Sequence, residues 1–218
     1  MNETVLISTF YSFQPLVASA HAFSPKKIIL ILAEDSLKNE KVSQDIEKVK
    51  DVYGKVAVIE IIKVKGADLL DVAEKTVDLL EKLKEELNRG SPDSKLLKNA
   101  NRFSNDKLIV NVSGGWKLLS QGVMYGCYAR PELVSKIICN SIEDNSIVEL
   151  PKLGFGLSTA KRELLEEISK RNGKSISEIA QKMEKTRGML YQHLKELKES
   201  GYVDEKFEIT LAGRMGLL

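Results

Sequence analysis

The sequence predicts an α/β protein in two parts: a Rossmann-like, mainly parallel sheet domain followed by an α+β winged helix-turn-helix. Three observations carry that expectation. Continuous apolar runs alternate with amphipathic helical stretches through residue 150, the pattern of a parallel sheet covered on both faces. Beyond residue 157 the pattern changes to three short helices and a compact tail. The 218 residues suffice for one sizeable core and one small one.

Thr4–Thr9 (TVLIST) is a short apolar strand ended by the polar-aromatic stretch 10–14. Pro15 suits the first turn of a helix running to about Phe23. Lys27–Ala33 (KIILILA) is a second strand, apolar throughout. Residues 39–53 place Val42, Ile46, Val49 and Val52 at helical period, and Gly54 stops that helix. Residues 56–64 form a third strand, and residues 68–87 a long helix with Leu69, Val72, Ala73, Val77, Leu80 and Leu83 on one face. The polar stretch 89–105 reads as a loop with one turn of helix near 95–100. Residues 108–112 (LIVNV) are the fourth strand, which Ser113-Gly114-Gly115 turns into a helix over 116–129. Lys136–Asn140 and Ile147–Leu150 form a closing hairpin. Right-handed crossovers give the order 3-2-1-4, with the hairpin at the edge of the fourth strand.

The domains expected are a Rossmann-like domain over 1–150, a linker over 151–157 and a winged helix-turn-helix over 158–218, whose roles follow from the residues below. Residues 158–171 form a helix with Ser158 as its cap. Ser175 and Glu178 have capping-box spacing and open the second helix, with Ile176, Ile179, Ala180 and Met183 inward. The third runs over 187–199 with Leu190, Leu194 and Leu197 inward. Residues 202–209 make a two-stranded wing, and residues 210–218 close the module.

Composition is that of an ordinary globular protein, 43% hydrophobic and 29% charged. Residues 1–150 hold 20 Lys and Arg against 21 Asp and Glu, whereas 151–218 hold 13 against 10, so the basic excess sits in the tail. No apolar run approaches the roughly 18–20 residues that span a bilayer, and the N-terminus lacks the basic region of a signal peptide. A cytoplasmic protein without membrane contact is expected. Cys127 and Cys139 lack CxxC spacing and read as buried free thiols, so no metal site is expected. In such a compartment Asn111-Val112-Ser113 carries no glycosylation meaning.

The third helix of the tail would enter the major groove of double-stranded DNA by its N-terminal half. Its outward residues are Lys185, Thr186, Arg187, Tyr191, Gln192 and Lys195, with Lys206 on the wing. Arg and Gln suit base edges; Lys, Thr and Tyr suit phosphates. The other reading is a winged helix used only for protein contacts. His193 could donate to a phosphate, but packing beside the inward leucines is the favoured reading.

In an open α/β sheet, ligands bind beyond the carboxyl ends of the strands where the order reverses. That crevice lies between the first and fourth strands. The loop after the first offers Ser8, Thr9, Phe10, Ser12, Phe13 and Gln14; the loop after the fourth offers Ser113, Gly114, Gly115, Trp116 and Lys117. Gly114 and Gly115 allow close backbone approach at a helix N-terminus, a natural anion site. Lys117 adds charge, and Phe10, Tyr11, Phe13 and Trp116 could stack on bases. Gly-Gly after a strand is also a common strand-to-helix turn. Neither GxGxxG nor GxxxxGK[ST] occurs, which disfavours an NAD enzyme or a P-loop ATPase.

The Thr-Phe loop after the first strand, the Ser-Gly-Gly-x-Lys loop after the fourth and the following winged helix resemble the CRISPR-associated Rossmann-fold (CARF) transcription regulators of archaea. In the tail, Ser-Ile-Ser-Glu-Ile-Ala, Leu-Tyr-Gln-His-Leu-Lys-Glu-Leu and Gly-Tyr-Val resemble the winged helix-turn-helix of prokaryotic transcription regulators. The CARF resemblance implies a homodimer binding one cyclic oligoadenylate, typically the tetra-adenylate, across its two-fold axis. It also implies promoter binding near CRISPR loci and a role in antiviral defence, with no cofactor. The loop after the first strand lacks the glycine of many relatives. Two alternatives remain: an enzyme cleaving the ring, with Lys117 beside Ser8, Thr9 or Ser12, or a regulator answering an unrelated metabolite. No His lies in either loop to act as base, and no catalytic residue is assigned.

Overall fold

The computed structural model describes residues 4–89, 107–141, 143–144, 146–170, 178–179, 182–183 and 186–218. The chain divides into two compact units, Met1–Leu153 and Gly154–Leu218.

In the first unit, strands and helices alternate: β1 Thr4–Thr9, α1 Gln14–Phe23, β2 Lys27–Ala33, α2 Glu40–Tyr53, β3 Val58–Val64, α3 Leu69–Arg89, β4 Lys107–Asn111 and α4 Lys117–Ala129. β5 Lys136–Asn140 and β6 Ile147–Leu150 follow. A 3-10 turn, Glu34–Lys38, lies between β2 and α2 and was not foreseen. The sheet order is β3-β2-β1-β4-β5-β6, as expected from the crossover rule. Five strands run parallel and β6 returns antiparallel to β5.

Two cores explain why the strands are apolar on both faces. Val5, Ile7, Ile29, Ile31 and Val110 pack with α3 and α4 through Val72, Leu80, Leu119 and Val123. Leu6, Ile28, Leu30, Leu32 and Ile109 pack with α1 and α2 through Leu16, Val42, Ile46 and Val49. α4 meets α3 closely because Gly122 and Gly126 leave room for the Val72 and Thr76 side chains. Asn39 caps α2, its side chain accepting from the Lys41 amide. Cys127 is buried, and that environment pushes its thiol up to about 12; both cysteines are free.

The second unit holds α5 Thr159–Ser169, α6 Arg187–Glu199 and α7 Leu211–Leu217. Leu164, Leu165, Ile168, Ile179, Leu190, Leu194, Leu197 and Val203 form its core. Ser158 caps α5; Ser175, Ala180 and the expected helical turn at 95–100 lie outside the described residues. The expected two-stranded wing is a single bridge, Val203 to Ile209. Asp204 shortens it: its carboxylate accepts from the Lys206 and Glu208 amides at 2.8 Å each, closing the turn one residue inside the bridge. The closing segment is a helix capped by Thr210, which accepts from the Gly213 amide. Among the described residues no helix is long and apolar enough to cross a membrane, and no cluster of His, Cys, Asp and Glu could hold a metal ion.

Candidate functional site

β1 and β4 are hydrogen-bonded neighbours with Ser8 opposite Asn111, so the loops after both strands leave the same edge of the sheet. The β4 loop crosses directly over the end of β1. A Cβ on Gly114 would lie 2.2 Å from the Thr9 carbonyl oxygen and 3.2 Å from the Phe10 Cα. Both are backbone atoms, so only glycine fits there. Gly115 has φ +82, the left-handed region that favours glycine. The Ser120 hydroxyl donates to the Gly114 carbonyl at 2.8 Å and fixes the turn against α4. That leaves Trp116 48% exposed at the start of α4, with Lys117 exposed beside it. The first-turn amides of a helix lack intrahelical acceptors and favour an anion.

The β1 side behaves differently from its sequence expectation. Ser8 and Thr9 are each 1% exposed. Their hydroxyls turn inward, Ser8 donating to the Thr9 carbonyl at 3.0 Å and Thr9 to the Asn111 carbonyl at 3.4 Å. Phe10 is also 1% exposed and belongs to the α1–α2 core, which corrects the expectation that its ring is free to stack. These three residues form the floor. Ser12 is half-buried and Gln14 exposed. Half-buried Phe13 sits with its ring centroid 6.4 Å from that of Tyr53, tilted by 38°. The Phe13 amide donates to Asp45 Oδ2 at 3.0 Å, anchoring this loop to α2. A Lys48 hydrogen bond, aided by that amide, outweighs burial and holds the Asp45 carboxyl below its ordinary range.

Sequence reasoning missed the polar cluster beneath the β4 loop. Asn111 is fully buried. Its amide nitrogen donates to the Pro15 carbonyl at 3.1 Å, Ser19 Oγ at 2.9 Å and Asn140 Oδ1 at 3.3 Å. Its oxygen accepts from the Ser113 amide at 2.9 Å. Ser113 Oγ in turn accepts from the Asn140 amide at 2.6 Å and lies 2.9 Å from Asn140 Oδ1. One buried asparagine thus ties α1, β5 and the glycine turn together. The available signal was a polar residue inside the apolar strand LIVNV.

In the second unit, the expected DNA-facing residues fall on or beside α6. Thr186 caps the helix, accepting from the Met189 amide. Arg187 is its first residue; Lys185 lies outside the described residues. Tyr191 is 53% exposed, and Gln192 and Lys195 are exposed. Gln192 donates to Glu196 at 2.8 Å, and Lys195 lies 3.9 Å from Glu199. Lys206 is exposed on the wing. Glu196 also meets Lys161 of α5 at 2.9 Å, and that contact, with Gln192, lowers its carboxyl to about 2. His193 packs half-buried with Nδ1 3.7 Å from Glu196. Met189, overlooked in the sequence, is 53% exposed.

Residues 158–205 match the bacterial regulatory protein, arsR family. This arsR-type segment spans α5 through the start of the wing, and its first residue is the α5 cap. No protein of curated function matches the chain in sequence. Among solved structures, the chain is similar to Can2 from Sulfobacillus thermosulfidooxidans in complex with cyclic tetra-adenylate. The identity is 14% and the TM-score 0.43, over 98% of this chain and 62% of that one. Csm6 of Enterococcus italicus, bound to cyclic hexa-2'-fluoro-hexa-dAMP, aligns at 11% identity and TM-score 0.49, over 92% of this chain and 51% of that one. A type III CRISPR defence DNA nuclease activated by cyclic oligoadenylate aligns at 13% identity and TM-score 0.42, over 92% and 30%. The chain thus spans less than two thirds of each of these.

Proposed function

We propose that this chain is a ligand-responsive transcription regulator whose arsR-type segment binds double-stranded DNA and whose α/β domain is a CARF-type sensor. The effector in this reading is a cyclic oligoadenylate, the tetra-adenylate. The observation that supports it most is the crossing of the glycine turn over the end of β1. It brings the two loops against each other, with Trp116 and Lys117 exposed at the start of α4, where first-turn amides lack intrahelical acceptors.

The chemistry suits a ring of phosphodiesters and bases. Lys117 and the first-turn amides of α4 meet a phosphate, and Trp116 offers a stacking face. Ser12, Phe13 and Gln14 supply the accessible side of the β1 loop, while Ser8, Thr9 and Phe10 shape its floor. A ring with two-fold symmetry matches two such crevices in a homodimer, which also sets two α6 helices for two half-sites. An effector shared by both chains then biases the spacing of those helices, a coupling between two distinct sites.

Calorimetric titration of the full chain with cyclic tetra-adenylate tests this. The expected result is one ring per two chains, with the ring recovered intact. Absence of binding overturns the sensor reading, and linear products turn it into that of a ring-cleaving enzyme.

A further inference from the structure

The outward face of α6 carries chemistry other than its sequence promised. Gln192, the residue suited to read adenine, has its amide engaged by Glu196 at 2.8 Å. Lys195 stands 3.9 Å from Glu199. The Thr186 hydroxyl accepts from the Met189 amide at 3.5 Å and keeps its own O–H to donate. Among the described side chains of the first two turns, two large apolar ones stand exposed, Met189 and Tyr191, each 53% exposed. Between them in angle lies exposed Gly188, where a Cβ would meet no heavy atom of the described residues within 4 Å. Packing among those residues gives no reason for glycine there, and glycine weakens a helix relative to alanine. A side-chain-free notch on the outward face lets another molecule approach the helix backbone closely.

Resting on the DNA-binding reading above, we infer that this face reads thymine: Met189 and Tyr191 cover C5-methyl groups in the major groove while Gly188 admits the edge of a base pair. The major groove is the place where an apolar side chain distinguishes a base pair, because thymine alone presents a methyl there. Leu190, Leu194 and Leu197 face inward in the same helix, so Met189 and Tyr191 are not needed for the core. The alternative occupant of an exposed Met and Tyr is another protein, which would make no distinction between thymine and uracil.

The test uses the full chain and a duplex that it enriches from a randomised pool. Its affinity is compared with that for the same duplex carrying uracil at every thymine, so that only methyl groups are lost. Weakening by about fourfold per contacted methyl is expected, the worth of removing one such group from water. Met189→Ala should bind the thymine and uracil duplexes more nearly alike, and Gly188→Ala should bind both at least tenfold more weakly without a fall in melting temperature. Equal affinity of the unaltered chain for the two duplexes overturns the inference and leaves DNA binding intact. Failure to enrich any duplex overturns DNA binding itself, and this inference with it.

Discussion

Gly114 sets the shape of the crevice, because the space its side chain would occupy is filled by the Thr9 carbonyl 2.2 Å away. Gly114→Ala must move one strand end off the other. A loss of about 1–3 kcal/mol is expected, as for overpacking elsewhere, read as a lower midpoint in urea denaturation and accompanied by loss of effector binding. Lys117→Ala separates the two effects. Lys117 is exposed, so its removal should leave the midpoint in place and weaken binding of an anionic ring. In the second unit, Arg187→Ala is expected to weaken operator binding by ~1–3 kcal/mol and to spare effector binding, checked by parallel titrations with each ligand.

At the scale of elements, the α1–α2 layer is pinned to the site by Asp45. Its carboxyl is held below the ordinary range, so the folded state prefers it ionised. The resulting stability is fully present above the unfolded-chain value of about 3.9 and is lost as pH falls through the lower folded value. Asp45→Asn should therefore flatten the acid limb of the melting-temperature profile below about pH 4, and an unchanged limb would contradict this role. The strands and their order were legible because a parallel sheet buried on both faces needs continuous apolar runs, as in KIILILA of β2. The floor of the site was legible only in part. Phe10 shares the period-two face of Leu6 and so enters the α1–α2 core, a consequence that its loop position obscured. The role of Asn111 was not legible, because its partners Pro15, Ser19 and Asn140 become neighbours only once the sheet forms. On α6, the outward residues followed from periodicity, but the pairing of Gln192 with Glu196 takes the amide expected to read a base.

For the whole molecule, the proposed function assigns an effector to the loops after β1 and β4 and the major groove to α6. A regulator of this kind needs its effector to act on two chains together, which is why the ring and the homodimer belong to one proposal. A saturating effector should then stabilise the protein, by about 2.7 kcal/mol at 100 times its dissociation constant, and shift its affinity for DNA. The most direct measurement is amide hydrogen exchange of the full chain with and without cyclic tetra-adenylate. Slowed exchange is expected, concentrated at residues 12–14 and 113–118 and abolished by Lys117→Ala. Protection elsewhere with those two loops unchanged, or no protection at all, would contradict it.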